Sequence, residues 1–206
     1  MNINLWGVPV VKENCNYTFS DFDKETQEYI NDYSRIETDS VNVIVNKGSF
    51  LEDTKLKKIK DIIQTHALYY RDNVMACTNE LEIQSSWLTI NHKNSDHPPH
   101  MHNHTIFSIC YYPRVESGEL VLVAPNNCKN SFQNDYKFGF QYTHYNEWNS
   151  SNWSIPVISG DVVVFPGYLT HFSTPNKHDK PRLMIGANYW LRGSMQFFDE
   201  LDRINA

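Results

Sequence analysis

The sequence predicts a mainly-β jelly roll with N-terminal α-helices packed on one sheet. Three observations carry this. After about Glu80, short β-rich runs follow one another, separated by Asn, Pro, Ser and Gly. Before that point the apolar residues recur with helical period. The 206 residues, 40% apolar and 20% charged, suit one packed domain better than a disordered chain or a coiled coil. The expected division is residues 1–80 as a helical support, 81–192 as the β core and 193–206 as a C-terminal tail, all in a single domain.

Phe22, Tyr29, Ile30 and Tyr33 form one helical stripe, and Leu56, Ile59, Ile62, Ile63 and Tyr70 form another. Ser49 followed three residues on by Glu52 has the form of a capping box, which places the start of the second helix near Phe50. The β-rich runs are Ser85 to Asn91, Thr105 to Tyr112, Leu120 to Val123, Ile155 to Ile158, Asp161 to Phe165 and Arg182 to Tyr189. Strands of this number, joined by turns, close into a sandwich or barrel whose outer face the helices cover. Pro125 to Trp153 reads as a long loop rich in Asn and aromatics, of the kind that serves a functional role.

The balance of 18 basic and 24 acidic residues gives a net charge of −6, without the basic footprint that binding to duplex nucleic acid requires. The longest apolar runs fall far short of the ~20 residues of a membrane span. The N-terminus has no basic flank leading into a long apolar stretch, so a cytoplasmic location is expected, host cytoplasm for a phage-encoded chain. Cys15, Cys77, Cys110 and Cys128 lie far apart, as reduced structural thiols do.

The chemistry concentrates in histidine. His92, His97, His100, His102 and His104 fall within thirteen residues, behind Pro98 and Pro99, which hold the chain extended. In an extended chain His100, His102 and His104 emerge on one face, so the two imidazoles of an HxH pair can converge on one ion. A pair holds a metal weakly, and His171 is the best third donor. It follows a short apolar strand framed by Ser159-Gly160-Asp161 and Pro166-Gly167, a frame that delivers a loop histidine to a fixed place. Arg182 opens a further apolar strand, pointing either to solvent or into a pocket where it meets an anion.

In order along the chain stand SSWLTIN (85–91), HMH (100–102), SICYY (108–112), SGELVLVAP (117–125), GDVVVFPGYLTH (160–171), PN (175–176), Arg182 and Asn188. This series resembles the double-stranded β-helix oxygenases dependent on Fe(II) and 2-oxoglutarate, and within them a small family found in bacteria and their phages. The resemblance implies that His100, His102 and His171 surround the iron and that Arg182 binds the distal carboxylate of 2-oxoglutarate. It further implies Tyr112 and Asn188 in the co-substrate site, and Asn91, Tyr111 and Trp148 toward the substrate. Two departures from the wider superfamily stand out. His102 takes the usual carboxylate place, which either leaves the metal one unit more positive or sets His102 behind a water that is itself the ligand, and Met184 stands where a serine commonly helps to bind the co-substrate. Tyr112 or Tyr111 is then a candidate for the missing hydroxyl.

In function, the resemblance implies an Fe(II)- and 2-oxoglutarate-dependent hydroxylase that releases succinate and CO2, with ascorbate as an aid to turnover. Its substrate is a small molecule or a protein or peptide, a homodimer is compatible with the fold, and the aromatic loop serves as lid or grip. The competing readings are a cupin-like metalloprotein that uses no 2-oxoglutarate, and a jelly-roll binding or structural module.

Overall fold

The computed structural model describes residues 7–34, 42–45, 48–125, 141–196 and 203–205. Two antiparallel sheets face each other. The larger comprises β1 (Val11–Asn14), β2 (Asn42–Val45), β3 (Glu80–Asn91), β5 (Phe107–Arg114), β8 (Asp161–Pro166) and β10 (Arg182–Arg192), in the spatial order β1-β8-β5-β10-β3-β2. The smaller comprises β4 (His97–His100), β6 (Glu119–Val123), β7 (Asn152–Pro156) and β9 (His171–Ser173), in the order β4-β9-β6-β7. β11 (Ser194–Gln196) pairs separately with β12 (Arg203–Asn205). This is the mainly-β jelly roll that the spacing of the β-rich runs predicts.

The large sheet is covered on both faces, and the strand pleat sorts its residues between them. Leu88, Ile90, Phe107, Ile109, Tyr111, Val162, Val164, Leu183, Ile185 and Tyr189 join Ile30, Leu56, Ile59 and Ile63 of the helical segment in one core. Cys110, Tyr112, Val163 and Phe165 face the small sheet and meet Leu120 and Leu122 in a second. β10 is the central strand, paired to β3 on one side and β5 on the other. Its register with β5 shifts between Leu183 and Ile185, opposite Pro113, whose nitrogen has no proton to give the ladder.

The helices are α1 (Lys24–Ser34) and α2 (Lys57–Tyr69). The α-helix proper starts seven residues later than the expected Phe50, because two 3-10 turns, Phe50–Glu52 and Thr54–Leu56, come first. The capping box does not form. Ser49 makes no side-chain cap bond, Glu52 reaches Lys60 instead, and Asp53 caps the second turn through the Lys55 amide. Beyond Tyr69 the chain continues in a wider π-helical segment, Tyr70–Met75, that ends on Ala76 in the left-handed region. The N-terminal support is therefore not purely helical, since β1 and β2 add an edge strand to each side of the large sheet.

Of the aromatic loop, residues 126–140, with Phe132, Tyr136, Phe138 and Phe140, lie outside the described residues, as does Cys128. Among the described residues Cys15, Cys77 and Cys110 are free thiols, and no helix is long and apolar enough to cross a membrane.

Candidate metal centre

The prolines before His100 do what their chemistry requires. His97–His100 is extended as β4 and pairs with β9, with His100 directly opposite His171. The small sheet thus places two imidazoles beside each other across one rung, their planes tilted by 56°. The third arrives just past the end of β4, where the His102 amide donates to the Gly167 carbonyl and ties that turn to the loop between β8 and β9. Ring centroids are 4.2 Å apart for His100 and His171, 5.1 Å for His100 and His102, and 5.0 Å for His102 and His171. Nitrogens from all three rings lie within 4.8 Å of one another, close enough to share one ion.

Two rings are oriented by backbone. Nδ1 of His171 is 2.9 Å from the Leu169 carbonyl oxygen, and Nδ1 of His100 is 2.8 Å from that of Pro98. A carbonyl only accepts, so each Nδ1 donates its proton and the ring's lone pair falls on Nε2, the arrangement found behind metal-ligating histidines. Burial pushes the His171 imidazolium down to about 3, with smaller contributions from His100, His102 and His97. His171 is therefore neutral at pH 7, as a ligand must be.

The cavity beside the triad runs between the two sheets. Its wall includes Trp87, Thr89, Asn91, His100, Cys110, Tyr112, His171, Ser173, Arg182 and Met184. Arg182 is 1% exposed. Its guanidinium donates to Ser173 Oγ at 2.7 Å, to Asn91 Oδ1 at 3.3 and 3.4 Å, and to the Ser117 carbonyl at 3.5 Å. Every acceptor is neutral and three of the four contacts are long. Among the described residues no carboxylate makes an ion pair with it. Asp96 acts on it only through space, and a guanidinium withdrawn from water without a carboxylate in contact costs several kcal/mol, on the order of the penalty usual for buried ions. It is in this respect a site suited to a carboxylate. Gly118 permits the arrangement, because a Cβ there would run into Arg182 Nη1.

Tyr112 reaches the same cavity, its hydroxyl beside Cys110 and its pKa driven well up by burial, so it remains a neutral phenol. Tyr111 does not. Adjacent residues of a strand point to opposite faces, and Tyr111 sits in the helix-side core with its hydroxyl donated to the Tyr17 carbonyl at 2.6 Å. The expectation that it faces the substrate is corrected by that pleat. Asn188 is on the cavity side of β10 but outside the cavity wall, past Gly186 and Trp87. Its amide is engaged at both ends, accepting from Ser108 Oγ and donating to Ser85 Oγ. Asn91 lines the cavity as an acceptor for Arg182. Trp148 is 37% exposed in a turn and is not part of the wall. His104 leaves the HxH face because its backbone turns left-handed at φ 55°.

Four residues of the site are not among those the sequence singles out as candidates. His97 lies against His100, tilted, with ring centroids 4.2 Å apart. Trp87 lies 5.1 Å from His102, in space that exists because a Cβ on Gly186 would strike its indole. Ser173 holds Arg182. Thr89 is 1% exposed, and its hydroxyl has no hydrogen-bond partner among the described residues, a state that costs about 1–3 kcal/mol. The signal for two of them was present, since strict alternation in SSWLTIN puts Trp87, Thr89 and Asn91 on one face.

Residues 85–188, just over half of the chain, match the family described as "Putative 2OG-Fe(II) oxygenase". The chain belongs to this 2OG-Fe(II) oxygenase family. Fe(II) and 2-oxoglutarate are accordingly its metal and co-substrate, and the cupin-like and structural-module readings fall away. No curated protein matches the chain. Among solved structures, a prolyl-4-hydroxylase from Pseudomonas putida is similar with TM-score 0.57 and 10% identity, over 90% of this chain and 94% of that one. HygX from Streptomyces hygroscopicus, seen with nickel, 2-oxoglutarate and hygromycin B, gives TM-score 0.56 and 11% identity over 88% and 82%. A prolyl hydroxylase from Trichoplax adhaerens, in complex with a hypoxia inducible factor peptide fragment, gives 0.56 and 13% over 88% and 83%. These likenesses establish the double-stranded β-helix fold of the oxygenase.

Proposed function

We propose that this oxygenase holds Fe(II) on His100, His102 and His171, binds the distal carboxylate of 2-oxoglutarate at Arg182 with Tyr112 alongside, and hydroxylates a small molecule or peptide. The observation that carries this reading is the buried Arg182, with no carboxylate in contact, in the wall of the same cavity as His100 and His171, two of three convergent imidazoles. The donor set suits the metal. Three neutral nitrogens bind a borderline ion such as Fe(II) and leave its double charge to be balanced by an anionic co-substrate. Bound iron with 2-oxoglutarate and dioxygen would supply oxidative decarboxylation to succinate and CO2, one oxygen atom of O2 entering succinate and the other entering a substrate C–H bond to give the alcohol.

The protein's part is positioning. Leu169 and Pro98 fix the ring orientation of His171 and His100 through their carbonyls. Asn91 and Ser173 fix the guanidinium plane. The cavity is narrow, about 30 Å3, room for about two waters by the usual measure. A five-carbon diacid enters it only as wall side chains give way, and Met184, with its flexible thioether chain, is the wall residue best able to do so.

The substrate reading stays at the level of class. Solved structures of this fold hold hygromycin B in one case and a peptide fragment in another, and both classes remain within the proposal. The test is succinate release from 2-oxoglutarate with Fe(II) and ascorbate, first without substrate and then with cell extracts. Slow uncoupled release, lost in His171→Ala, is expected. Wild-type protein that neither binds Fe(II) anaerobically nor releases succinate would overturn the reading.

A further inference from the structure

Resting on that reading, we propose that the Thr89 hydroxyl is a further hydrogen-bond donor to the carboxylate held at Arg182, and so a determinant of the preference for a keto diacid over a keto monoacid. Thr89 lines the cavity and is almost wholly buried, and its Oγ1 has no partner among the described residues. A buried hydroxyl in a native fold is nearly always bonded, so one that is not marks a ligand's place.

The register says which part of the ligand. On β3 the cavity-facing residues are Asn91, Thr89 and Trp87, set against Arg182, Met184 and Gly186 of β10. Asn91 bonds Arg182, and Trp87 lies against His102. Thr89 therefore stands between the guanidinium and the imidazoles, about 6–7 Å along the strand from Asn91. Met184, directly across from it, offers only a weakly accepting thioether. A carboxylate paired with Arg182 is the anion within this stretch of wall, and a hydroxyl beside it donates a charge-assisted bond.

The experiment uses the full chain loaded with Zn(II), so that no turnover intervenes. Binding of 2-oxoglutarate and of 2-oxopentanoate, the same carbon chain without the distal carboxylate, is measured by calorimetric titration for wild type, Thr89→Val and Thr89→Ser. Thr89→Val is expected to weaken 2-oxoglutarate binding about tenfold and to leave 2-oxopentanoate within twofold. Thr89→Ser should keep most of the 2-oxoglutarate affinity. The melting midpoint of ligand-free Thr89→Val should equal or exceed that of wild type, since a bare buried hydroxyl is replaced by a methyl of the same shape.

Unchanged 2-oxoglutarate affinity in Thr89→Val, or an equal loss for both ligands, overturns the assignment. Arg182→Met, run alongside, separates this failure from that of the underlying reading. If wild type and Arg182→Met bind 2-oxoglutarate alike, the co-substrate site itself is misplaced. If Arg182→Met loses binding and Thr89→Val does not, the assignment of Thr89 alone fails.

Discussion

Replacing Arg182 by methionine sets two consequences against each other, and the structure gives the sign of both. For the ligand-free fold, the change removes a buried cation whose desolvation costs several kcal/mol and whose acceptors are all neutral. Against that relief stands the loss of one good bond, 2.7 Å to Ser173, and three long ones. Ser173 Oγ still accepts from the His97 amide at 3.0 Å, so the principal loss is the pair of long donations to Asn91 Oδ1, about 1–3 kcal/mol in all. Methionine fills the space of the aliphatic stem. The net expectation for unliganded stability is between no change and a gain of about 2 kcal/mol, the behaviour of buried ion sites replaced by apolar residues.

For the co-substrate the same change removes a charge-assisted pair worth about 1.5–3 kcal/mol per bond, which corresponds to a tenfold to hundredfold rise in Kd for 2-oxoglutarate. Urea unfolding of the apo protein and anaerobic titration with 2-oxoglutarate read the two quantities separately. A fold that is as stable or more stable while binding collapses is the signature of an arginine retained for its ligand. The reverse pattern, stability down by more than about 3 kcal/mol with affinity intact, would show that Arg182 is a structural cation and would refute the reasoning.

Gly186→Ala drives a Cβ into the Trp87 indole and hence disturbs the packing on His102, so a loss of about 1–3 kcal/mol in stability is expected, together with weaker metal binding by equilibrium dialysis. Trimming the indole in the pair Gly186→Ala, Trp87→Leu should restore part of the stability, and strict additivity would count against the contact. The buried His171 has its folded-state pKa lowered from 6.5 to about 3, so in that window the unfolded chain binds the extra proton. The stability it contributes is whole above about pH 6.5 and declines by up to about 1.4 kcal/mol per pH unit as pH falls toward 3. His171→Gln should flatten that part of the profile in metal-free protein. Saturating Ni(II) should raise the melting midpoint of wild type, by the equivalent of about 2.7 kcal/mol at a hundredfold excess over Kd. His171→Ala should lose that rise while keeping its fold, as judged by circular dichroism.

The convergence of the three histidines is legible in the sequence because its cues are local. Two prolines enforce extension before His100, and a Ser-Gly-Asp turn and a Pro-Gly turn bracket the strand that leads to His171. The arginine was legible only as an alternative, since nothing within a strand says whether its first residue faces water or a pocket. The direction in which Tyr111 points is hidden from the sequence for a definite reason. The large sheet is covered on both sides, so β5 reads as continuously buried from Phe107 to Pro113 and carries no polar alternation from which to tell one face from the other. His104 was misread because its left-handed turn breaks the alternation that the sequence suggests. β4 and β9, of four and three residues, are too short to announce themselves, and Ser49 with Glu52 met the pattern of a capping box where tertiary contacts drew Glu52 to Lys60. Thr89 required the register of two strands, which no single segment encodes.

The three imidazoles belong to the small sheet and its flanking turn, whereas the guanidinium belongs to the large one. A diacid that grips both is a tie beam between two plates whose separation is fixed by the packing of Leu120 and Leu122 on Tyr112, Val163 and Phe165. If the diacid binds as proposed, chain-length discrimination among keto acids resides in that gap. A molecule one carbon shorter or longer must shear one plate along the other, so remote substitutions that thicken or thin the layer would retune the ruler without touching either anchor.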